Sequence, residues 1–229
     1  RLAQFQARLK GLGFTVHDQT TQLCREMVDR GDLGTLSRER VFKELEKALG
    51  ASHPSEFFAV LASVNALARI FQGVQLATTK NLDGPARDTS AELRFSRLVL
   101  ENPALDLQDL NKRLAIPKHW LELADLTRTW APTFCQVTTL SADAILNALE
   151  RGDARRKPMR FAQSVQVSCQ SLIMEKADQA QIVERWQRLV QQTAKVTLPE
   201  TASGLSGQDI KAMIRAEQLR RIEATCDWR

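Results

Sequence analysis

With 229 residues, 43% of them hydrophobic and 26% charged, the chain has the composition of a globular protein large enough to bury a sizeable core in one or two domains. No run of about 18 apolar residues occurs, which excludes a membrane-spanning helix, and a net charge of +5 permits a polyanionic partner without demanding one. Cys24, Cys135, Cys169 and Cys226 lie far apart with no C-x-x-C pair, the pattern of reduced thiols in a cytoplasmic protein rather than of a disulfide or zinc framework.

In chain order, Leu2 to Arg8 reads as helix interior, followed by a second helix around Cys24–Met27. Val41, Leu45, Ala48 and Leu49 then form an apolar stripe, with Ser37 as N-cap and Glu39 in the first turn, where the helix dipole favours an anion. Phe57, Val60, Leu61, Val64, Leu67, Ala68 and Phe71 repeat at helical spacing behind Pro54 and predict one continuous helix. Further stripes run through Leu107-Leu110-Leu114, Leu121-Ala124-Leu126, Ile145-Leu146-Leu149 behind Ser141, Ile182-Val183-Trp186-Leu189-Val190, and Ile210-Met213-Ile214. Trp120, Trp130 and Trp186 fall on these stripes as core residues, while Trp228 stands at the C-terminus, exposed or docked. Polar or proline-bearing breaks lie at Thr78–Pro85, Arg151–Pro158 and Leu198–Gly204. No segment alternates with period two, so the predicted class is all-α, an elongated array of helices. Segments 1–50, 51–150 and 151–229 divide it.

No active site is visible. There is no Gly-x-Ser-x-Gly, no phosphate-cradling glycine loop, and no histidine beside a cysteine. Asp106 and Asp109 sit at a helix start with no preceding strand, which makes Asp106 a cap rather than a metal ligand. His17, His53 and His119 are isolated in different elements and read as surface or capping residues.

Two basic clusters stand out: Arg151, Arg155, Arg156, Lys157 and Arg160, opposed only by Asp153, and Lys211, Arg215, Arg220 and Arg221 on the last helix. Both suit phosphate contacts. A solvated turn, and an amphipathic helix whose arginines pair with Glu217, Glu223 and Asp209, are the alternatives.

Several motifs share one order. They are the opening Arg1–Leu45 helices, Arg94-Phe95-Ser96-Arg97-Leu98, Asn111-Lys112-Arg113-Leu114-Ala115-Ile116-Pro117, Asp153-Ala154-Arg155-Arg156-Lys157-Pro158-Met159-Arg160-Phe161, and the closing Gly207–Ile222 helix. In this order they resemble the neck, body and tail of the bacterial CCA-adding enzymes, class II tRNA nucleotidyltransferases. The match is weakest between about Leu76 and Glu92.

The resemblance implies that a catalytic head with paired carboxylates for Mg²⁺, and the segment that selects CTP or ATP, would precede Arg1 or come from another chain. It implies no cofactor in this chain. The family's His-Asp phosphohydrolase pair is replaced by Leu100-Glu101, and Gln4 and Gln218 stand where relatives commonly carry arginine, which the resemblance reads as two lost cationic contacts. The implied partner is tRNA, held on its acceptor–TΨC side by Arg155, Arg156, Lys157, Arg160, Lys211 and Arg215. A non-catalytic helical scaffold of the same ancestry is the alternative.

Overall fold

The computed structural model describes residues 1–87, 89–172, 175–194, 196 and 206–226. The break at Leu198–Gly204, and Trp228, lie outside them. Among the described residues there are twelve α-helices and no strand. These are α1 (Leu2–Leu9), α2 (Asp18–Asp29), α3 (Arg38–Leu49), α4 (Pro54–Ser63), α5 (Leu67–Ile70), α6 (Ala91–Glu101), α7 (Leu107–Leu114), α8 (Lys118–Cys135), α9 (Ala142–Arg151), α10 (Pro158–Leu172), α11 (Lys176–Ala194) and α12 (Gly207–Thr225).

Side chains fix the helix starts as the sequence suggests. Ser37 accepts from the Arg40 N–H, Ser141 from that of Ala144, and Asp106 from those of Gln108 and Asp109. His17 is a capping histidine, its Nδ1 accepting from the Gln19 N–H at 3.2 Å.

The helix expected to run from Phe57 to Phe71 is interrupted. Asn65 takes a left-handed φ of 60°. The Ala66 N–H then reaches the Leu61 carbonyl at 2.8 Å and the Asn65 N–H that of Ala62 at 3.1 Å, which is a Schellman closure. Asparagine tolerates that backbone because its short polar side chain can hydrogen-bond to the nearby backbone. Val64 and Ala66 pack instead with Val28 of α2. The polar stretch after it is also more ordered than a plain loop: Thr78–Leu82 forms a 3₁₀ turn that buries Thr79 and Leu82.

The contacts group the chain into two compact units, Arg1–Arg128 and Thr129–Arg229, with the boundary inside α8. Pro132 has no N–H for the carbonyl of Arg128, so one helical hydrogen bond is missing at the boundary.

In the first unit, α1 packs on α3 and α4, and α3 on α6 and α7. Phe57, Phe58 and Phe71 meet edge to face, and Trp120 packs against Phe42 at 5.1 Å and Phe95 at 5.5 Å between ring centroids. Ala3 and Ala7 of α1 belong to this core, so the first fifty residues share it with the helices that follow.

At its centre is Arg94, 3% exposed, which donates to the carbonyls of Leu49 (2.7 Å), Ala51, Gly84 (2.8 Å) and Pro85 (3.2 Å). The end of α3 leaves carbonyls without helical partners, and a guanidinium offers a planar set of donors that satisfies them. Arg94 is therefore a structural clip. Downstream on α6, Glu101 is engaged by Arg97 at 2.7 Å and by Asn81 at 2.9 Å.

In the second unit, α10 packs on α11, α11 on α12, and α12 on α9. Phe134, Phe161 and Trp186 form a three-way edge-to-face cluster with centroids 5.2–5.5 Å apart. The Trp186 indole N–H donates to the Phe134 carbonyl at 2.8 Å, satisfying the polar end of a side chain that is otherwise buried. Trp120 and Trp186 are core residues as predicted, and Trp130 is half-buried against Phe134.

Candidate nucleic-acid interface

The basic turn Arg151–Arg160 is built by the end of α9. Gly152 closes that helix, and Asp153 takes a left-handed φ of 53°. The Ala154 N–H bonds back to the Leu149 carbonyl at 2.9 Å, and the Asp153 N–H to that of Glu150 at 3.1 Å, again a Schellman closure. Its apolar partners are in place, since Ala154 and Leu149 are both buried. The Asp153 carbonyl then accepts from the Arg156 and Lys157 N–H groups, so the chain turns a second time before Pro158 opens α10.

Gly152 is required for packing rather than for its backbone angles. A Cβ there would lie 2.6 Å from the Phe161 ring. Gly152→Ala is expected to cost about 1–3 kcal/mol by displacing that ring and to loosen the turn with it, which thermal unfolding and hydrogen exchange of residues 152–158 would reveal.

This scaffold projects Arg151, Arg155, Arg156 and Lys157 into solvent. Asp153 lies 3.5 Å from the Arg156 Nε, and the first turn of α10 carries no acidic residue. Three cations thus crowd the positive end of a helix dipole, an arrangement that costs stability and attracts anions. Arg160 plays a different part. Half-buried, it donates to the Gly152 carbonyl at 3.2 Å and braces the turn from within.

The second cluster is largely engaged inside the protein. Arg215 pairs with Asp143 at 2.8 Å and with Glu150 at 3.5 Å, clasping α12 to α9. Through Glu150 it stands beside the helix end that launches the basic turn. Arg220 and Arg221 both hold Glu217, as the pairing alternative anticipated. Lys211 is exposed one helical turn before Arg215.

Hydrogen bonds from Arg220 and Arg221 pull Glu217 down to about 2. A carboxylate whose folded value lies below its ordinary one stabilises the fold above that ordinary range, and the contribution drains away as pH falls toward 2. Glu217→Gln should therefore flatten the acid side of the stability curve between about pH 5 and pH 2, read by far-UV circular dichroism.

Gln4 and Gln218 prove to be interior residues, 4% and 3% exposed, and Gln218 donates to the Thr193 carbonyl. In this chain both side chains are part of the packing.

Among the described residues no group of three or more His, Cys, Asp or Glu side chains could hold a metal ion, and no helix is long and apolar enough to cross a membrane.

The turn thus presents cations on an ordered backbone, an arrangement that suits contacts to phosphates. The family described as "Probable RNA and SrmB- binding site of polymerase A" matches residues 13–77. The chain is homologous to bacterial CCA-adding enzymes over nearly its whole length, as a partial portion of them. The Multifunctional CCA protein of Pseudomonas putida strain KT2440 is 30% identical over 98% of this chain and 62% of its own length. The CCA-adding enzyme of Pseudomonas putida strain F1 gives the same three figures, 30%, 98% and 62%. That of Coxiella burnetii RSA 493 is 30% identical over 66% of this chain and 41% of its own length. The chain thus spans about three-fifths of the Pseudomonas relatives it matches. No solved structure matches.

The matched stretch 13–77 contains none of the predicted contact residues. Three of its arginines are tied to backbone: Arg25 donates to the Ser63 carbonyl at 2.7 Å, Arg38 to that of Asn111 at 2.9 Å, and Arg69 to that of Val28 at 2.6 Å. Arg40 is exposed there.

Proposed function

We propose that this chain grips tRNA on its acceptor–TΨC side and positions the 3′ end for a catalytic head supplied upstream or by another chain. Mg²⁺, CTP and ATP would be bound by that head, and the work would take place in the cytoplasm. The observation that carries this reading is the Schellman-closed turn presenting Arg155, Arg156 and Lys157 at the start of α10. Phosphates are met by arginine and lysine without base reading, and a turn already ordered loses little entropy when it engages them. Lys211 extends the cationic surface, and Arg215 and Arg160 orient it from within.

Incubating the chain with tRNA lacking its 3′ CCA, together with CTP, ATP and Mg²⁺, should give no incorporation while the tRNA is bound. Robust nucleotide addition would overturn the division of labour between head and handle.

A second reading has its own observation. Phe5, Leu12, Phe14, Leu23, Met27 and Leu36 are all at least 42% exposed on the first 36 residues. Beside them an apolar cavity of about 320 Å³ is lined by residues including Met27, Leu36, Val60, Leu61 and Ile70. Apolar surface of this kind suits a protein partner, and a helical scaffold that fails to bind tRNA at any salt concentration would fit it better than the RNA-gripping role.

A further inference from the structure

We propose that the outer face of α10 reads the 2′-hydroxyl groups of a double-stranded RNA stem, so that the chain separates RNA from duplexes lacking them. This rests on the tRNA-gripping reading and adds to it the means by which the sugar is recognised. The face is a strip of four side chains, Met159, Gln163, Gln166 and Gln170, spaced four, three and four residues apart. At 3.6 residues per turn they fall within an arc of about 60°. Met159 is 72% exposed, and the three glutamines are half-buried.

The rest of the helix is committed to the core. Phe161, Ser164, Val165, Val167, Ser168 and Cys169 are buried and cover the opposite side. Arg160 is the only charged residue of α10, and it braces the turn from within. The strip left at the surface is therefore uncharged in a chain of which 26% is charged, whereas protein surfaces ordinarily mix charges of both signs. Long amides also make a poor seat for an apolar partner, since covering them without hydrogen bonds is costly.

Its place in the fold supplies the occupant. The strip begins just after the turn that presents Arg155, Arg156 and Lys157, and it runs from there for about 16 Å along the helix. A phosphate backbone held by those cations lies at the head of the strip. In an A-form stem the wide, shallow minor groove displays 2′-hydroxyls beside that backbone.

The chemistry of the side chains matches that edge. Each glutamine amide offers an acceptor oxygen and two N–H donors, which suits a hydroxyl that both donates and accepts. A cation at these positions would be drawn to phosphate and a carboxylate repelled by it, whereas a neutral amide is left to the sugar. Met159 adds a flexible apolar contact for ribose next to the gripped phosphates. The glutamine stems are already half-buried, which lowers the entropy lost when their amides are ordered.

The test uses the 229-residue chain and an RNA hairpin of the acceptor–TΨC stem. The same hairpin is also made with 2′-fluoro sugars, which keep the A-form and the phosphates but cannot donate a hydrogen bond. Wild type is expected to bind the hydroxyl form roughly tenfold more tightly than the fluoro form, with the same salt-dependence slope for both. The variant Q163A/Q166A should lose roughly that factor on the hydroxyl form and stay near wild type on the fluoro form. Alanine favours a helix, and thermal unfolding checks that the variant is compared folded. An equal loss on both hairpins is what a purely structural role would give, and it overturns the proposal. So does equal binding of the two hairpins by wild type while affinity still falls steeply with salt. Absence of binding to either hairpin at low salt would instead overturn the tRNA-gripping reading, and the role of the strip with it.

Discussion

The triple variant R155E/R156E/K157E is expected to bind tRNA roughly a hundred- to a thousand-fold more weakly at about 0.1 M salt, with a salt-dependence slope lower by about 2–3. Each replaced side chain is exposed on a turn whose shape is set by backbone bonds at Asp153 and Ala154 and by the Gly152–Phe161 contact. Removing the cations leaves that frame in place. Stability should hold within about 1 kcal/mol or rise, because carboxylates near the start of α10 complement its dipole where the native cations oppose it. The exposed Arg156–Asp153 pair is lost with it, a contact worth little in water. Filter binding together with thermal unfolding separates the two effects. A fall in affinity that tracks a fall in stability would mean the turn matters for folding alone. Arg160 is a poor choice for the same experiment, since its bond to the Gly152 carbonyl makes a loss of binding ambiguous.

Arg94→Met should destabilise the first unit by about 3–5 kcal/mol. Methionine fills much of the same space but donates nothing, so the carbonyls of Leu49 and Ala51 lose their donor in a buried setting and those of Gly84 and Pro85 in a partly buried one. Each carbonyl left unmade costs about 1–3 kcal/mol where water cannot enter, and partial relaxation keeps the sum below the simple total. Arg94→Lys keeps the charge but not the planar spread of donors, and should fall between wild type and methionine. Hydrogen exchange at the amides of Phe95 and Val99 reads the loss within that unit. A change below about 1 kcal/mol would show that the clip is dispensable.

How much of this was legible in the sequence depends on whether the signal is local. Caps and stripes are local, so Ser37, Asp106 and Ser141 were found at the helix starts they cap, and the all-helical class followed from periodicity. The break at Asn65 was missed because the apolar spacing continues across it, while the left-handed residue that ends α4 is an asparagine with no proline or glycine beside it. The basic turn was visible as composition, but its rigidity was not. That comes from Asp153 in a glycine-like conformation and from an aromatic ring nine residues beyond Gly152. Arg215 shows the limit most plainly. Its partners Asp143 and Glu150 lie on another helix, far from it in sequence, so only tertiary structure could show that its charge is already committed.

The central claim is that this chain is a tRNA-gripping handle, and the most direct test is the affinity of the chain for tRNA lacking its 3′ CCA, measured as salt is raised from about 50 to 200 mM. Binding that weakens steeply and linearly on a log–log plot, as release of counterions from several phosphates requires, is the predicted result. Absence of binding at the lowest salt, or an affinity indifferent to salt, would contradict it.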